Sequence, residues 1–300
     1  MSIMNYQKGL VSVVIPTYKR TDKLDRAIIS VLSQSYSNLE LLLVNDNVPG
    51  DEYSVSLIEK VKKYSADKRF RLILQDKHIN GAVARNVAIK QANGEYIAFL
   101  DDDDWWERNK LEEQVKALST LTEEWGGVSC KFTLYNADGK VISKSKKYRD
   151  GNIYKDVLNL QSDVATGTLL LKHRCLDEAG YFDESLMRNQ DIQLIAQFTF
   201  KYKLKEVDQY LHCVDVSDTM NRPVDEQKCL MYRDAFYKSV SQILDTLTPS
   251  EYRDMDAIRK VELGYILIKS GHFLRGIHYG KYFFRSFNVM KLVIKKYLSM

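Results

Sequence analysis

Residues 95–106 read EYIAFLDDDDWW. The first six form an apolar run of the kind that is covered on both faces in a parallel sheet, and four carboxylates follow directly at its end. Runs of the same type occur three times upstream: LVSVVIP (10–16), LELLLV (39–44) and FRLILQ (70–75). Between these runs, residues 22–35, 54–64 and 81–92 read as helices, with Asp22 placed to cap the first. Four strands alternating with helices inside the first hundred residues predict an α/β fold built on a doubly wound sheet of Rossmann-like character. Ligands in such sheets gather beyond the carboxyl ends of the strands. The residues at those ends are Thr17 and Tyr18, Asp46 and Asn47, and Asp101 to Asp104.

Four adjacent carboxylates in a partly dehydrated crevice repel one another. A hard divalent cation such as Mg2+ or Mn2+ removes the repulsion and keeps positions open for phosphates. Aspartates also favour helix N-termini, so a cap for the helix predicted from residue 106 is the second reading. The two are compatible if the first or third Asp serves a metal and the last serves the cap. In HINGAVARNVA (78–88), Gly81 permits close approach of the chain, and Arg85 sits one turn further on, near a helix N-terminus. Backbone N–H groups and the guanidinium can both meet phosphate there, with a surface salt bridge as the competing role for Arg85. His78 reads as a loop histidine. Asp46 and Asn47 serve either a turn and helix cap or the edge of a nucleobase. No GxGxxG follows an early strand and no GxxxxGK occurs, which leaves nicotinamide-dinucleotide and Walker-type sites unsupported.

Further along, WERNKLEEQVKALSTL (106–121) reads as a helix, GGVSCKFTLYN (126–136) as a strand, and Asp138-Gly139 as a hairpin turn. The lysine-rich stretch 143–160 is assigned to surface loop and short helix. GTLLLK (167–172) is a strand, followed by a helix at 173–179, the turn GYFDESL (180–186), a helix at 191–202 and an extended segment at 204–216. Thr166, Gly167 and Thr168 precede a strand and are placed to line a pocket. Trp105 and Trp106 serve either as an aromatic platform for a ligand or as core. From residue 224 onward strand signals vanish, and helices are predicted at 225–247, at 254–271 and once or twice beyond. A boundary is placed near residue 221.

Taken together, VSVVIPTYKR (11–20), LLLVNDN (41–47), NGAVARNVAIKQANGEYIAFLDDDDWWERNKLEEQ (80–114), GYFDESL (180–186) and NQDIQL (189–194) resemble the inverting glycosyltransferases of family 2, which have the GT-A fold. The resemblance implies a mixed sheet and a catalytic domain over 1–221, with a nucleotide-binding half (1–104) and an acceptor-binding half (105–221). A helical region with a basic aromatic tail occupies 222–300. Pro16, Thr17 and Tyr18 then belong to the nucleotide pocket, and Asp46 contacts the base, usually uracil. Arg85 lies near the nucleotide, and Asp101 near ribose and sugar with Asp102 beside it. Asp103 is the first choice for the metal, Mn2+ or Mg2+, with Asp101 as its companion in the D-x-D element. Asn45 replaces the first Asp of the family's usual pair.

The family's Glu-Asp pair falls on Gln190 and Asp191, so the resemblance gives Asp191 the role of catalytic base and marks Gln190 as a departure. From the residues alone, Asp191 reads as a helix cap. The implied reaction is a single displacement that inverts the anomeric carbon. It moves a hexose or N-acetylhexosamine from a nucleotide diphosphate sugar, by this resemblance a UDP-sugar, to a hydroxyl of a saccharide acceptor. Lipid-linked acceptors in the synthesis of capsule and other cell-surface polysaccharides fit this expectation. The alternative raised by Gln190 is a catalytically weak or inactive partner subunit of the same fold. A metal-dependent nucleotidyltransferase, which would release pyrophosphate, is a further rival.

Charge and cysteine content set the remaining expectations. Residues 263–300 hold seven basic and no acidic side chains, which leaves 37 basic against 40 acidic residues in 1–262. The tail (270–300) mixes aromatic, branched and basic residues, as expected either of a peripheral membrane contact or of a helix packed on the domain. An acidic remainder without a nucleic-acid module argues against nucleic-acid binding. The four cysteines, Cys130, Cys175, Cys213 and Cys229, form no CxxC pair and are expected to be buried thiols rather than zinc ligands. The apolar run near the start is interrupted by Pro16 and reads as neither a secretory nor a membrane-spanning segment. A cytoplasmic chain, peripheral at the inner face of the cell membrane and able to form a homodimer, is the resulting expectation.

Overall fold

A computed structural model describes residues 6–146, 149–217 and 225–297. The predicted alternation is present as β1 (Gln7–Thr17), α1 (Leu24–Leu32), β2 (Leu39–Asn45), α2 (Glu52–Val61), β3 (Phe70–Leu74), α3 (Gly81–Gln91) and β4 (Gly94–Phe99). The four strands pair in parallel in the order β3-β2-β1-β4. Alternate residues enter two separate cores. Val14, Leu42 and Val44 pack with Ala84 and Ala88 of α3, whereas Val13, Ile15, Leu41 and Leu43 pack with Ala27 and Ile28 of α1 and Leu57 of α2. Burial on both faces is why these strands read as mainly apolar runs, interrupted only by Ser12, Glu40 and Arg71, which bond among themselves through Glu40.

The second half consists of β5 (Trp105–Trp106), α4 (Lys110–Ser119), β6 (Trp125–Tyr135), β7 (Val141–Lys144), α5 (Tyr154–Leu158), β8 (Leu170–Lys172), α6 (His173–Ala179), α7 (Gln190–Lys201) and β9 (Lys203–Asp215). It extends the same sheet in the order β4-β8-β6-β9-β5, with β7 paired to β6. β8 runs antiparallel to β4 and β6, while β9 runs parallel to β6, so the sheet is mixed.

Several boundaries differ from expectation. Asp22 does not cap α1: the helix begins at Leu24, with Lys23 at the cap position and no side-chain cap bond. The helix expected from residue 106 begins at Lys110, because Trp105 and Trp106 pair with Cys213 and His212 as β5. Residues 153–158 are not mere surface, since Ile153, Val157 and Leu158 are buried in the core beside α7. The helix expected over 225–247 is broken at buried Val240 into α8 (Glu226–Ser239) and α9 (Ser241–Leu244). The boundary placed near residue 221 lies outside the described residues.

α10 (Pro249–Lys269) starts earlier than expected, as Thr248 and Glu251 form a reciprocal capping box and Pro249 opens the first turn. α11 (Phe273–Gly280) and α12 (Phe287–Tyr297) complete the helical region. Phe236, Val240, Ile243, Leu244 and Met255 join the same core as Leu194 and Phe198 of α7. α10 and α11 meet through two glycines: a Cβ on Gly264 would lie 2.8 Å from the carbonyl oxygen of Gly276.

Candidate active site

The carboxyl ends of β1, β2 and β4, together with the start of α3, surround a cavity of about 490 Å3. Pro16, Thr17, Tyr18, Asp46, Arg85, Asp101, Asp102 and Asp103 all line it. At one end the Tyr18 ring stacks on His78, with centroids 3.7 Å apart. His78 Nδ1 lies 3.0 Å from Asp46 Oδ2, and Gln75 Nε2 donates to Asp46 Oδ1 at 2.5 Å. Burial raises the pKa of Asp46, and the neighbouring His78 opposes that shift. Asn45 is a structural residue: it donates to Ser54 Oγ and accepts from Asn47 Nδ2, a pairing an ionised Asp cannot make because it has no donor. Asn47 in turn accepts the Lys19 N–H, which holds Lys19 in a left-handed conformation at φ 54°.

The four aspartates have separate surroundings. Asp101 is 44% exposed at its side chain and bonds Arg85, Nη2 to Oδ1, at 2.5 Å. Asp103 pairs with Arg20, Nη1 to Oδ2, at 2.5 Å. Asp102 is buried, and burial pushes its pKa up to about 7. Burial and the adjacent Asp104 and Asp101 push Asp103 up to about 6. Asp104 turns inward to buried His212 at 3.3 Å and accepts the Asp215 N–H, so it caps no helix. Asp101, Asp102 and Asp103 are therefore the carboxylates of the cluster that line the cleft, with Asp102 the most buried of the three. Among the described residues, no group of three or more His, Cys, Asp or Glu side chains is arranged to enclose an ion. Asp101 and Asp103, the less buried of these, fit Mg2+ or Mn2+, which take one or two protein carboxylates and complete their shell with phosphates and water.

Asn80 caps α3 by accepting from the N–H groups of Ala82 and Val83. Those groups are thereby engaged, so the helix start does not offer them to a phosphate as expected, and the guanidinium of Arg85 is the group that faces the cleft. Arg85 folds back over Gly81, where an added Cβ would lie 2.8 Å from Nη1. Asn80 and Asn86 also tie the GYFDESL turn to α3: Asn80 Nδ2 donates to Glu184 O and Asn86 Nδ2 to Phe182 O, each at 2.9 Å.

That turn leads into α7 through Asn189, in left-handed geometry at φ 62°. Asp191 borders a second cavity of about 250 Å3, whose lining includes Arg85, Asp101, Thr166, Arg188 and Gln190. Arg85 and Asp101 are thus common to both cavities. The Asp191 carboxyl reaches the cleft, yet desolvation by the surrounding protein raises its pKa, opposed by the Ile192 N–H and by Arg85. Gln190 Nε2 donates to Leu186 O at 2.5 Å and closes the turn. An ionised Glu has no hydrogen to make that bond.

Thr166 reaches the second cavity, whereas Gly167 and Thr168 are buried behind it. The two tryptophans line neither cavity: Trp106 is buried with Nε1 donating to Gly167 O, and Trp105 lies under the Arg26 guanidinium. Arg20, Arg188 and His212 escaped the residue-level reading. Arg20 was within reach, as it stands four residues after Pro16 in TYKR. Cys130, Cys175 and Cys213 are buried and Cys229 partly so, all as free thiols.

The family model for glycosyl transferase family 2 matches residues 12–186. The chain belongs to glycosyltransferase family 2. A family 2 relative in Rickettsia felis, named only as an uncharacterized glycosyltransferase, is 32% identical over 73% of this chain and 35% of its own length. The amylovoran biosynthesis glycosyltransferase of Erwinia amylovora is 30% identical over 61% of this chain and 62% of its own. An Escherichia coli protein named UDP-Glc:alpha-D-GlcNAc-diphosphoundecaprenol beta-1,3-glucosyltransferase is 40% identical over 36% of this chain and 41% of its own. The family 2 chain thus spans less than two thirds of the length of each of these relatives.

Its fold is shared with solved structures at low identity. S. aureus TarS 1–349 in complex with UDP-GlcNAc superposes with a TM-score of 0.64 at 16% identity, over 95% of this chain and 84% of that one. The mannosyltransferase PcManGT from Pyrobaculum calidifontis, in complex with GDP-Man and Mn2+, gives 0.60 at 16% identity, over 95% and 79%. The GT-A architecture expected from the motifs is the observed one.

Proposed function

We propose that this chain transfers a hexose or N-acetylhexosamine from a UDP-linked sugar to a hydroxyl of a lipid-linked saccharide, in the synthesis of a cell-surface polysaccharide. One observation carries the reading: Arg85 and Asp101 form a wall shared by a cavity suited to a nucleotide and a cavity holding Asp191. In this reading Tyr18 covers the base and Asp46 accepts the N3–H of uracil. The diphosphate lies toward Arg85 and Arg20. Asp191 takes the proton of the acceptor hydroxyl as it attacks the anomeric carbon opposite the departing nucleoside diphosphate. One such displacement inverts the anomeric configuration. Asp191 passes from carboxylate to carboxylic acid, and its raised pKa favours that change. Asp101 and Asp103 are the residues that would hold a divalent ion, which when bound neutralises charge on the leaving diphosphate.

Relatives support the substrate classes: one is named for action on a diphosphoundecaprenol-linked sugar, and one structural neighbour was crystallised with UDP-GlcNAc. Gln190 does not weigh toward an inactive subunit in this reading, because its amide closes the turn that positions Asp191.

A peripheral membrane contact belongs to the same proposal. α11 and the segment after it expose Leu274 (87%), Phe284 (74%) and Phe287 (79%), with Arg275, Lys281 and Arg285 among them in the chain. Exposed apolar rings beside cations suit an anionic lipid interface. No helix among the described residues is long and apolar enough to cross a membrane. The decisive experiment offers the purified chain a panel of nucleotide sugars with Mn2+ and measures thermal protection and transfer to lipid-linked saccharides. Protection and transfer with one UDP-sugar is the expected result; neither from any nucleotide sugar would overturn the reading.

A further inference from the structure

A third cavity, of about 430 Å3, lies on the other side of Asp191, between α7 and the helices α8 and α10. Leu263 and Ile266 supply apolar wall, and three arginines, Arg188, Arg233 and Arg259, converge on it. Arg259 is only 8% exposed. Its Nε donates to Leu158 O at 3.0 Å and its guanidinium lies over the Phe236 ring at 4.3 Å, but Nη2 has no hydrogen-bond partner. A buried guanidinium with an unmet donor is costly, and because Nη2 is itself enclosed, an anion in the cavity would meet it through a small shift of the side chain.

Glu262 and Asp191 both attract Arg259, but neither hydrogen-bonds it or comes within ion-pair distance of it. Glu262 is held by Lys296 at 2.7 Å and by the Tyr297 hydroxyl. Asp191 is attracted to Arg85 on its other side. Arg233 is paired with Asp234 at 2.8 Å, and Asp234 points out to solvent. Arg188 makes no hydrogen bond or ion pair among the described residues and lines both this cavity and the one holding Asp191. Three guanidiniums around one space match the many oxygens of a phosphate or diphosphate.

We infer that this cavity binds the phosphate-bearing end of the acceptor, with Arg188, Arg233 and Arg259 on its oxygens and Leu263 and Ile266 against the adjoining hydrocarbon. The inference rests on the reading of Asp191 as the base, since it places the acceptor's anionic end beside the hydroxyl-activating carboxylate. It makes the arginines positioning residues for the acceptor rather than groups that touch the reacting atoms.

The test begins with calorimetric titration of the full chain by inorganic pyrophosphate in EDTA, a condition in which the aspartate cluster has no ion to attract phosphates. One metal-independent site is expected, weakened about tenfold or more by Arg188→Gln, Arg233→Gln and Arg259→Gln, with UDP–Mn2+ binding unchanged. Arg188 and Arg233 are partly exposed, so their variants report even where Arg259→Gln does not fold. Absence of metal-free pyrophosphate binding, or equal affinity in the wild type and both partly exposed variants, overturns the inference.

A second arm compares transfer to one saccharide carried on a prenyl diphosphate, on a neutral alkyl chain, or on the neutral chain with a uronate added. A KM about tenfold lower for the diphosphate, lost in Arg188→Gln and Arg233→Gln with kcat retained, supports it. A uronate as effective as the diphosphate overturns the phosphate assignment. Transfer that ignores the arginines overturns this inference and leaves the transferase reading standing. Arginine-dependent pyrophosphate binding without transfer to any acceptor keeps the anion site but overturns the transferase reading, and with it the assignment of that site to an acceptor.

Discussion

Arg85 Nη2 stands 2.5 Å from Asp101 Oδ1, and this pair separates the cavity containing Asp46 from the one containing Asp191. Under the proposed function this arrangement would divide labour, with groups on the Asp46 side holding the donor and Asp191 meeting the acceptor. Asp191→Asn should therefore lower kcat by about two to four orders of magnitude, the usual range for losing a general base. Nucleotide affinity in the same variant should stay within about twofold of the wild type, because a uniform binding contribution is not removed. Single-turnover kinetics beside nucleotide titration checks both numbers, and unchanged turnover removes Asp191 from the chemistry.

Acidity should act on the same carboxylate. Desolvation raises the Asp191 pKa above the ordinary aspartate value, so the proton is retained to higher pH than an exposed aspartate would retain it. A base must be ionised, which means kcat declines as pH falls through that raised pKa and levels off above it. The limb should vanish from the residual activity of Asp191→Asn. A kcat profile lacking any acidic limb in the wild type contradicts the assignment.

Arg20 and Asp103, paired at 2.5 Å, give a prediction about ions. Any cation approaching Asp103 competes with a guanidinium that is 38% exposed at its side chain, so the competition is modest. Arg20→Gln should tighten Mn2+ binding in the absence of nucleotide by about two- to fivefold, the value of a partly exposed ion pair. Asp103→Asn should weaken it. Calorimetry or Mn2+ relaxation measurements decide, and weaker binding in Arg20→Gln sinks the idea that the two cations share one carboxylate.

The parallel half was legible because its strands are buried on both faces, which writes Val13–Ile15 and Leu41–Val44 as continuous apolar runs, and because each ends in residues of the cleft. The grouping of Pro16, Thr17, Tyr18, Asp46, Arg85 and Asp101 to Asp103 followed from that topology and from the family motifs. Finer assignments depended on contacts that sequence does not display. Which aspartates face outward is decided by His212 and the Asp215 N–H, over a hundred positions away in the chain, and both capture Asp104. The start of α4 was misplaced for the same reason, since β9 claims Trp106 as a strand partner. Arg259 lies in the predicted helix at 254–271, with no local sign that it would be buried beside Asp191.

Lys110 illustrates a cost that the fold tolerates and a substitution can remove. It is fully buried at the start of α4, with Nζ donating to Gln114 Oε1 at 2.7 Å and lying 3.9 Å from the Trp106 ring centroid. Burial lowers its pKa from the ordinary 10.5 to about 8. Below pH 8 the folded and unfolded chains both carry the proton, so the whole cost of about 3 kcal/mol is present. Between pH 8 and 10.5 the unfolded chain holds more protons than the folded one, so this term shrinks and the contribution to stability rises with pH. Lys110→Met removes the charge but strips Gln114 Oε1 of its donor, which offsets about 1–2 kcal/mol of the gain. The variant should then be more stable than the wild type by about 1–2 kcal/mol at pH 7, with the difference falling toward zero or reversing by pH 9.5. Urea unfolding of both proteins at the two pH values measures it, and a difference that grows between pH 7 and 9.5 would contradict a charged, desolvated Lys110.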